Sequence, residues 1–324
     1  MNRRPLLLSA CLLFSFIAGA QETPLWLRHN SISPDGSKIA FTYKGDLYVV
    51  DSGGGLARQL TSNNAYESDP VWTRDSKKIF FSSYREGSKD IFLTSAEGGV
   101  PERITNIPGS ETPKAVLPDG RILFTANIQA DASYGGFPSG NQVYAVATGG
   151  KRPELISSLT LSEISVSADG NVLYEDYKGY EDPLRKHHTS SVTRDIWLYR
   201  PADAQDFTID GKGTFRKLTT FAGEDRQPVW APDGNTYYYL SEQGGKTINL
   251  FKSSTDGAPR QLTFYEKDPV RYISVSDNGT IAYSQNGQLY TLREGEEPKI
   301  VDIRVFRDEF EKAVQAVDGK PDKR

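Results

Sequence analysis

The chain has 324 residues, with 42 Asp and Glu against 38 Lys and Arg and a formal net charge of −4. A mildly acidic chain without basic blocks argues against nucleic acid as a partner. One cysteine and three histidines leave no disulfide framework and too few soft ligands for a Cys/His metal centre.

Met1-Asn2-Arg3-Arg4 is a basic start, Pro5 to Ile17 an apolar run, and Ala18-Gly19-Ala20 a small-residue stop. This is the pattern of a secretory signal peptide, because the run is too short to span a bilayer and polar chain follows it. Cleavage before Gln21 would remove Cys11, Arg3 and Arg4, moving the charge from −4 to −6 and leaving no thiol. Leu8-Ser9-Ala10-Cys11 also reads as a lipobox, but the preceding apolar run is very short and the residues after Cys11 stay apolar, so lipoprotein anchoring is the weaker reading. No second long apolar segment follows, so the mature chain is expected to be periplasmic or extracellular, with no membrane span. Roughly 300 residues remain, enough to bury a large core without disulfides.

From residue 29 a repeat organises the sequence. Each unit has an apolar segment ending in an Asp-Gly-type turn, then an alternating strand such as "KIAFTY", a third such as "DLYVV", and a fourth such as "RQLT". The turn recurs at Asp35, Asp75, Asp119, Asp169, Asp233 and Asp277, with spacings of 40, 44, 50, 64 and 44 residues. Glycine after Asp accepts the positive φ of a tight turn, and alternating Ile, Phe, Val and Tyr suit a pleated, half-buried surface. Such a unit cannot bury both faces alone; radial stacking buries them. The expectation is an all-β, six-bladed β-propeller of four-stranded antiparallel blades over 21–303, closed without an exchanged strand. A parallel solenoid is the runner-up, disfavoured because hairpins rather than helices link the strands. Closure is expected to rest on apolar packing between the first and last blades, with Pro24-Leu25-Trp26-Leu27 either covering the seam or serving as an ordinary lead-in strand.

Two units are stretched. From turn to third strand is 11 residues in units one and six, but 23 in unit three and 26 in unit four. The added chain is "NIQADASYGGFPSGN" (127–141) and "DYKGYEDPLRKHHTSSVTR" (176–194). In a propeller both loops emerge on the face that carries the inter-blade links, so adjoining blades place them side by side at one mouth. A further insertion, 201–213, belongs on the opposite face. Long loops on a rigid ring are where binding usually sits. Arg185, Lys186, His187, His188 and Arg194, with Tyr177, Tyr180 and Tyr134, are therefore the candidate substrate-binding residues, suited to a peptide carboxylate. The competing reading is a polar loop whose charges pair with Glu181, Asp182 and Asp195. His187 and His188 are adjacent, point apart in extended chain and lack a spaced third ligand, so neither metal nor cofactor is expected. No catalytic residue stands out: there is no G-x-S-x-G elbow, H-E-x-x-H, P-loop or dinucleotide-binding glycine pattern. Trp72 and Trp230 precede turns and read as blade core, and His29 reads as structural. Glu67, Asp69, Glu224, Asp225 and Arg226 lie on inter-blade links, where they would line the mouth or pin neighbouring blades by ion pairs. The tail, 304–324, breaks the grammar; "RDEFEKAVQAV" has helical charge spacing and suggests the start of a following domain.

The units resemble the TolB-like propeller repeat over nearly all of 29–303. A narrower resemblance, carried by "EDPLRKHHTSSVTRDIWLY" followed by "FAGEDRQPVWAPDG" and "YYLSEQGG", is to the first, six-bladed propeller of tricorn-type peptidases, especially exported bacterial homologues. That resemblance implies a non-catalytic propeller handling or gating peptides, or unfolded polypeptide, beside serine peptidase domains later in the same chain, with homo-oligomerisation open. A free-standing periplasmic TolB-like protein-binding scaffold is the alternative; residues 21–28 leave no room for that family's N-terminal α/β domain. A hydrolytic propeller enzyme is the third reading, and three histidines offer it little.

Overall fold

The computed structural model describes residues 21–128, 141–149, 152–179, 189–203, 207–209 and 211–306. Strand β1 (Gln21–Glu22) precedes the repeats. Blade one comprises β2 (Arg28–Ile32), β3 (Lys38–Tyr43), β4 (Asp46–Asp51) and, after the short β5 (Gly55–Leu56), β6 (Arg58–Gln59). Blade two follows with β7 (Glu67–Trp72), β8 (Lys78–Ser83), β9 (Asp90–Ser95) and β10 (Glu102–Arg103). Blade three is β11 (Thr112–Val116), β12 (Ile122–Ala126), β13 (Gln142–Val146) and β14 (Glu154–Ser157). Blade four is β15 (Leu161–Val166), β16 (Val172–Asp176), β17 (Ile196–Arg200) and β18 (Thr214–Lys217). Blade five is β19 (Asp225–Trp230), β20 (Thr236–Ser241), β21 (Asn249–Ser254) and β22 (Arg260–Gln261). Blade six is β23 (Val270–Val275), β24 (Ile281–Gln285), β25 (Gln288–Leu292) and β26 (Lys299–Ile300), and β27 (Ile303–Phe306) ends the described chain. Each blade is a four-stranded sheet of consecutive strands, so no blade borrows a strand from the other end of the chain.

The apolar side chains divide into six clusters, one at each seam between blades. Phe81 and Phe92 of blade two pack on Leu47 and Val49 of blade one. Phe80 and Ile91 face Phe124 and Tyr144 of blade three on the opposite side of the same sheet. Alternation along each strand thus supplies both faces, and the ring has no separate central core. Two tryptophans pin seams as well as fill them: Trp72 Nε1 donates to Ser31 O at 2.9 Å, and Trp230 Nε1 to Asn171 O at 3.2 Å, each in the preceding blade.

Local chemistry explains the repeated motifs. In "SPDG" the Gly36 N–H closes the turn on Ser33 O at 2.8 Å with φ +74°, and Asp35 Oδ1 accepts from Ser33 Oγ and Ser37 N. Blade six departs from the expected turn residue: Asn278, not Asp277, accepts from Thr280 N and Ser276 Oγ. The fourth-strand threonine caps the start of the third strand. Thr61, Thr105, Thr219 and Thr263 Oγ1 accept from the N–H of Leu47, Ile91, Ile196 and Leu250 at 2.8–3.0 Å.

Ring closure uses more than apolar packing. Leu27 N–H donates to Gly287 O of blade six, and buried Leu27, Val301, Ile303 and Val305 join Phe41 and Tyr48 with Ala282 and Leu289. In addition β27 pairs antiparallel with β1 and parallel with β5, making a three-stranded sheet that clasps the segments leading into blade one and out of blade six. Within the described residues, regular structure reaches Phe306. The 201–213 insertion packs inward: Phe207 and Ile209 are buried in the seam between blades three and four, and Ile209 N–H donates to Ile156 O at 2.9 Å.

Candidate functional site at the channel mouth

The innermost strand of every blade is bulged, and the bulges fall in register: Arg28/Ser31, Ser68/Val71, Pro113/Ala115, Ser162/Ser165, Arg226/Val229 and Arg271/Ser274. The first residue to leave the ladder in each bulge is His29, Asp69, Lys114, Glu163, Gln227 or Tyr272. Five of them hold left-handed φ between 36° and 56°. Non-glycine residues adopt such angles rarely and at a cost, and a bulge re-aims the side chain it carries. All six line one cavity of about 320 Å³ on the propeller axis. They form a polar collar. Because each innermost strand runs from an inter-blade link towards its turn, the collar sits at the mouth where the 127–141 and 176–194 loops also arise.

The collar is knitted across blades. His29 Nδ1 lies 3.2 Å from Asp69 Oδ1, and Lys89 Nζ reaches Asp69 Oδ2 at 2.9 Å and Thr112 Oγ1 at 3.0 Å. Lys114 Nζ pairs with Glu163 Oε1 at 2.9 Å, joining blades three and four. Tyr272 stacks on His29 with centroids 4.8 Å apart, its N–H donates to Gln227 Oε1 at 2.9 Å, and its carbonyl accepts from Asn30 Nδ2 at 2.8 Å. Burial would raise the Asp69 carboxyl, but the His29 hydrogen bond and the Lys89 charge outweigh it and hold the group well below the usual carboxylate range. Burial would lower Lys114, yet Glu163 and Asp69 outweigh it and hold the ammonium above its ordinary value. Below the collar, Val71, Val116, Val166, Val229 and Val275 give the channel an apolar sleeve.

Between blades three and four a second cavity of about 240 Å³ opens beside the collar. Thr112, Thr125, Asn141, Thr160, Ser162 and Tyr177 line it, and it shares Lys114 and Glu163 with the channel. Of the residues singled out from sequence, Tyr177 and Arg194 meet here. The Arg194 guanidinium lies over the Tyr177 ring at 4.7 Å and donates to Asp176 O at 3.0 Å. Lys178 and Lys217 both contact Asp195, so the base of the loop is fastened to blade four. Tyr134, Tyr180, Arg185, Lys186, His187 and His188 lie outside the described residues.

Of the link residues, Asp69 lines the mouth, whereas Glu67 pairs with Arg85 at 2.8 Å and Glu224 with Arg226 at 2.7 Å. His29 is a collar residue rather than an isolated structural histidine, and Lys114, Glu163, Gln227 and Tyr272 were not distinguishable by type. Their shared signal is position, five or six residues before the acidic or amide turn residue, as 29 is to 35 and 272 to 278. Among the described residues no group of three or more His, Cys, Asp or Glu could hold a metal ion, and no helix is long and apolar enough to cross a membrane.

A six-bladed ring without a shared strand, bearing a bulged polar collar on its axis, defines a β-propeller built around an axial passage. A model of the family described as the tricorn protease N-terminal beta propeller domain matches residues 24–298, and the chain belongs to that family. It is 26% identical over 282 residues to Tricorn protease homolog 1 of Streptomyces coelicolor, covering 84% of this chain and 24% of that protein. The chain thus spans about a quarter of that relative's length. The crystal structure of the tricorn protease superposes with a TM-score of 0.69 at 21% identity, covering 86% of this chain and 26% of that one. TolB from Acinetobacter baumannii superposes with a TM-score of 0.54 at 21% identity, covering 76% and 56%.

Proposed function

We propose that this propeller is a non-catalytic, peptide-handling domain of an exported protein, working beside peptidase domains of the same polypeptide. The observation that carries the reading is the collar: six side chains turned off the strands onto the channel axis at the mouth where the two long loops arise. Its charges are matched in pairs, so an extended polypeptide would meet hydrogen-bonding partners without a net field that traps either sign. The side cavity offers hydroxyls and Tyr177 beside the Lys114–Glu163 pair, a lining suited to main-chain amides and termini. Arg185 and Lys186 are the groups assigned to a peptide carboxylate. Family membership supports the peptide context.

The test is equilibrium binding of short fluorescent peptides, with free or amidated C-termini, to wild type and to Arg185→Ala/Lys186→Ala. Wild type should prefer the free carboxylate and the double variant should lose the preference. Equal affinities throughout would remove the anchor, and robust cleavage of peptides or denatured protein by this chain alone would overturn the non-catalytic assignment.

A further inference from the structure

The links entering five of the six blades donate a backbone hydrogen bond to the residue just before the third-strand segment of the blade behind. The donors Leu27, Glu67, Glu111, Asp225 and Val270 meet the carbonyls of Gly287, Gly45, Lys89, Arg194 and Ile248. This equivalence sets each link side chain beside the first residue of the third-strand segment, and the pairing follows a rule. By position Val270 is matched with Asn249 and Leu27 with Gln288, an apolar group with an amide. Glu67 faces Asp46, Glu111 faces Asp90 and Asp225 faces Asp195, an acid beside an acid. Like charges brought together under burial repel strongly, so these three seams need an explanation that the other seams do not.

The seam between blades one and two has one. Glu67 Oε1 gathers three donors, Arg85, Ser83 and Asn63, which leaves only Oε2 without one, and Asp46 accepts from Thr61 and Gln59. At the other two the donors run short. Asp90 and Glu111 are fully buried; Arg103 takes one Asp90 oxygen and Thr105 one Glu111 oxygen, while Asp90 Oδ1 and Glu111 Oε1 have no donor. Asp225 is fully buried with neither oxygen satisfied. Asp195 faces it, already held by Lys178 and Lys217; Glu224 and Arg226 on either side of it pair with each other; the Thr219 and Ser241 hydroxyls lie near and act against the effect of burial, and Tyr237 and Tyr239 flank it from β20. A buried acceptor without a donor costs about 1–3 kcal/mol, more when charged, and a bound proton removes both that cost and the repulsion.

We propose that the seams on either side of the blade three–blade four pair, at Asp90–Glu111 and at Asp225, each store a proton, and that releasing these protons loosens blades three and four within the ring. Those blades bear both long mouth loops, and they hold a third buried acid: Glu175 of β16, with Glu163, Arg226, Arg194 and Lys114 around it, is pushed up to about 8 by burial and then by the Glu163 charge. The electrostatics agree. Burial pushes Asp225 up to about 7, with Asp195 and Glu224 adding to it, and burial followed by the Asp90 charge raises Glu111. The closed seam holds its proton and the opened seam, exposed to water, does not. Opening therefore becomes easier as pH rises from about 4, the ordinary carboxylate value, to about 7, and levels off above that.

Hydrogen exchange on the full chain, normalised for intrinsic rates, tests this. Exchange at 105–117 and 219–230 should speed up by as much as about tenfold per pH unit between pH 5 and pH 7 and then plateau. The links at 23–28 and 263–275 should stay flat. Glu111→Gln should flatten the first response and Asp225→Asn the second, since each amide has the shape of the neutral acid. A flat wild-type profile, an equal rise at all four links, or a response that survives the substitutions would overturn the proposal. Should a variant not fold, the infrared carbonyl band of protonated carboxyl groups decides, read in a Glu175→Gln background so that this third acid does not contribute: it should be present at pH 6 and fade by pH 8, and its absence at pH 6 would sink the idea.

Discussion

If the clasp of β1, β27 and β5 closes the ring, it can be weakened from β27 alone. Ile303 and Val305 are 2% and 3% exposed in the cluster joining blades six and one, whereas Phe306 on the same strand is 61% exposed. Changing Ile303 and Val305 to Ala removes five buried methyl or methylene groups. At about 0.8 kcal/mol each the transfer loss is roughly 4 kcal/mol, and the cavity left behind adds to it. The double variant should therefore lose about 4–7 kcal/mol, lowering Tm by on the order of 10 °C in a chain of this size. Phe306→Ala, which empties no core, should cost less than about 0.5 kcal/mol. Guanidinium unfolding followed by tryptophan fluorescence measures both. A double-variant loss below about 1 kcal/mol, or a Phe306→Ala loss as large as the double, would show that the terminal sheet does not hold the ring.

Two further substitutions probe the same architecture. Gly54 has φ +94°, and a Cβ there would lie 2.7 Å from Asp302 O, so Gly54→Ala should cost about 2 kcal/mol or more in thermal unfolding, whereas Gly53→Ala, where a Cβ meets open space, should cost far less. Thr263→Val keeps shape but strips the hydroxyl that caps Leu250 N–H and donates to Asn249 Oδ1, and should cost about 1–3 kcal/mol in urea unfolding; a loss near zero would reduce the recurring threonine to a packing residue.

The parts of this fold that can be read from sequence are the local ones. A turn such as Ser33 to Gly36 needs glycine at one left-handed position and an acceptor beside it, and the Thr263-type cap needs a hydroxyl at a fixed place, so residue type records the turn in five blades and the cap in four. The clasp hides because β27 finds its partners at Gln21–Glu22 and Gly55–Leu56, far away in the chain, and no local pattern announces such a pairing. The collar hides for a different reason. Its geometry belongs to the backbone: once an innermost strand is bulged, any side chain at that point is turned onto the axis, and His, Asp, Lys, Glu, Gln and Tyr each occupy it once. The fold fixes the place and leaves the chemistry free, so identity carries no signal and only the distance to the next turn does. The acid seams lie between these cases. Their aspartates at 46, 90 and 195 begin third-strand segments that sequence reading does find, but the facing acids at 67, 111 and 225 acquire meaning only once the link's hydrogen bond sets one against the other. A propeller can therefore keep its stacking grammar constant while varying collar and seams blade by blade, which is how a six-fold frame comes to hold a mouth whose blades three and four differ from the rest.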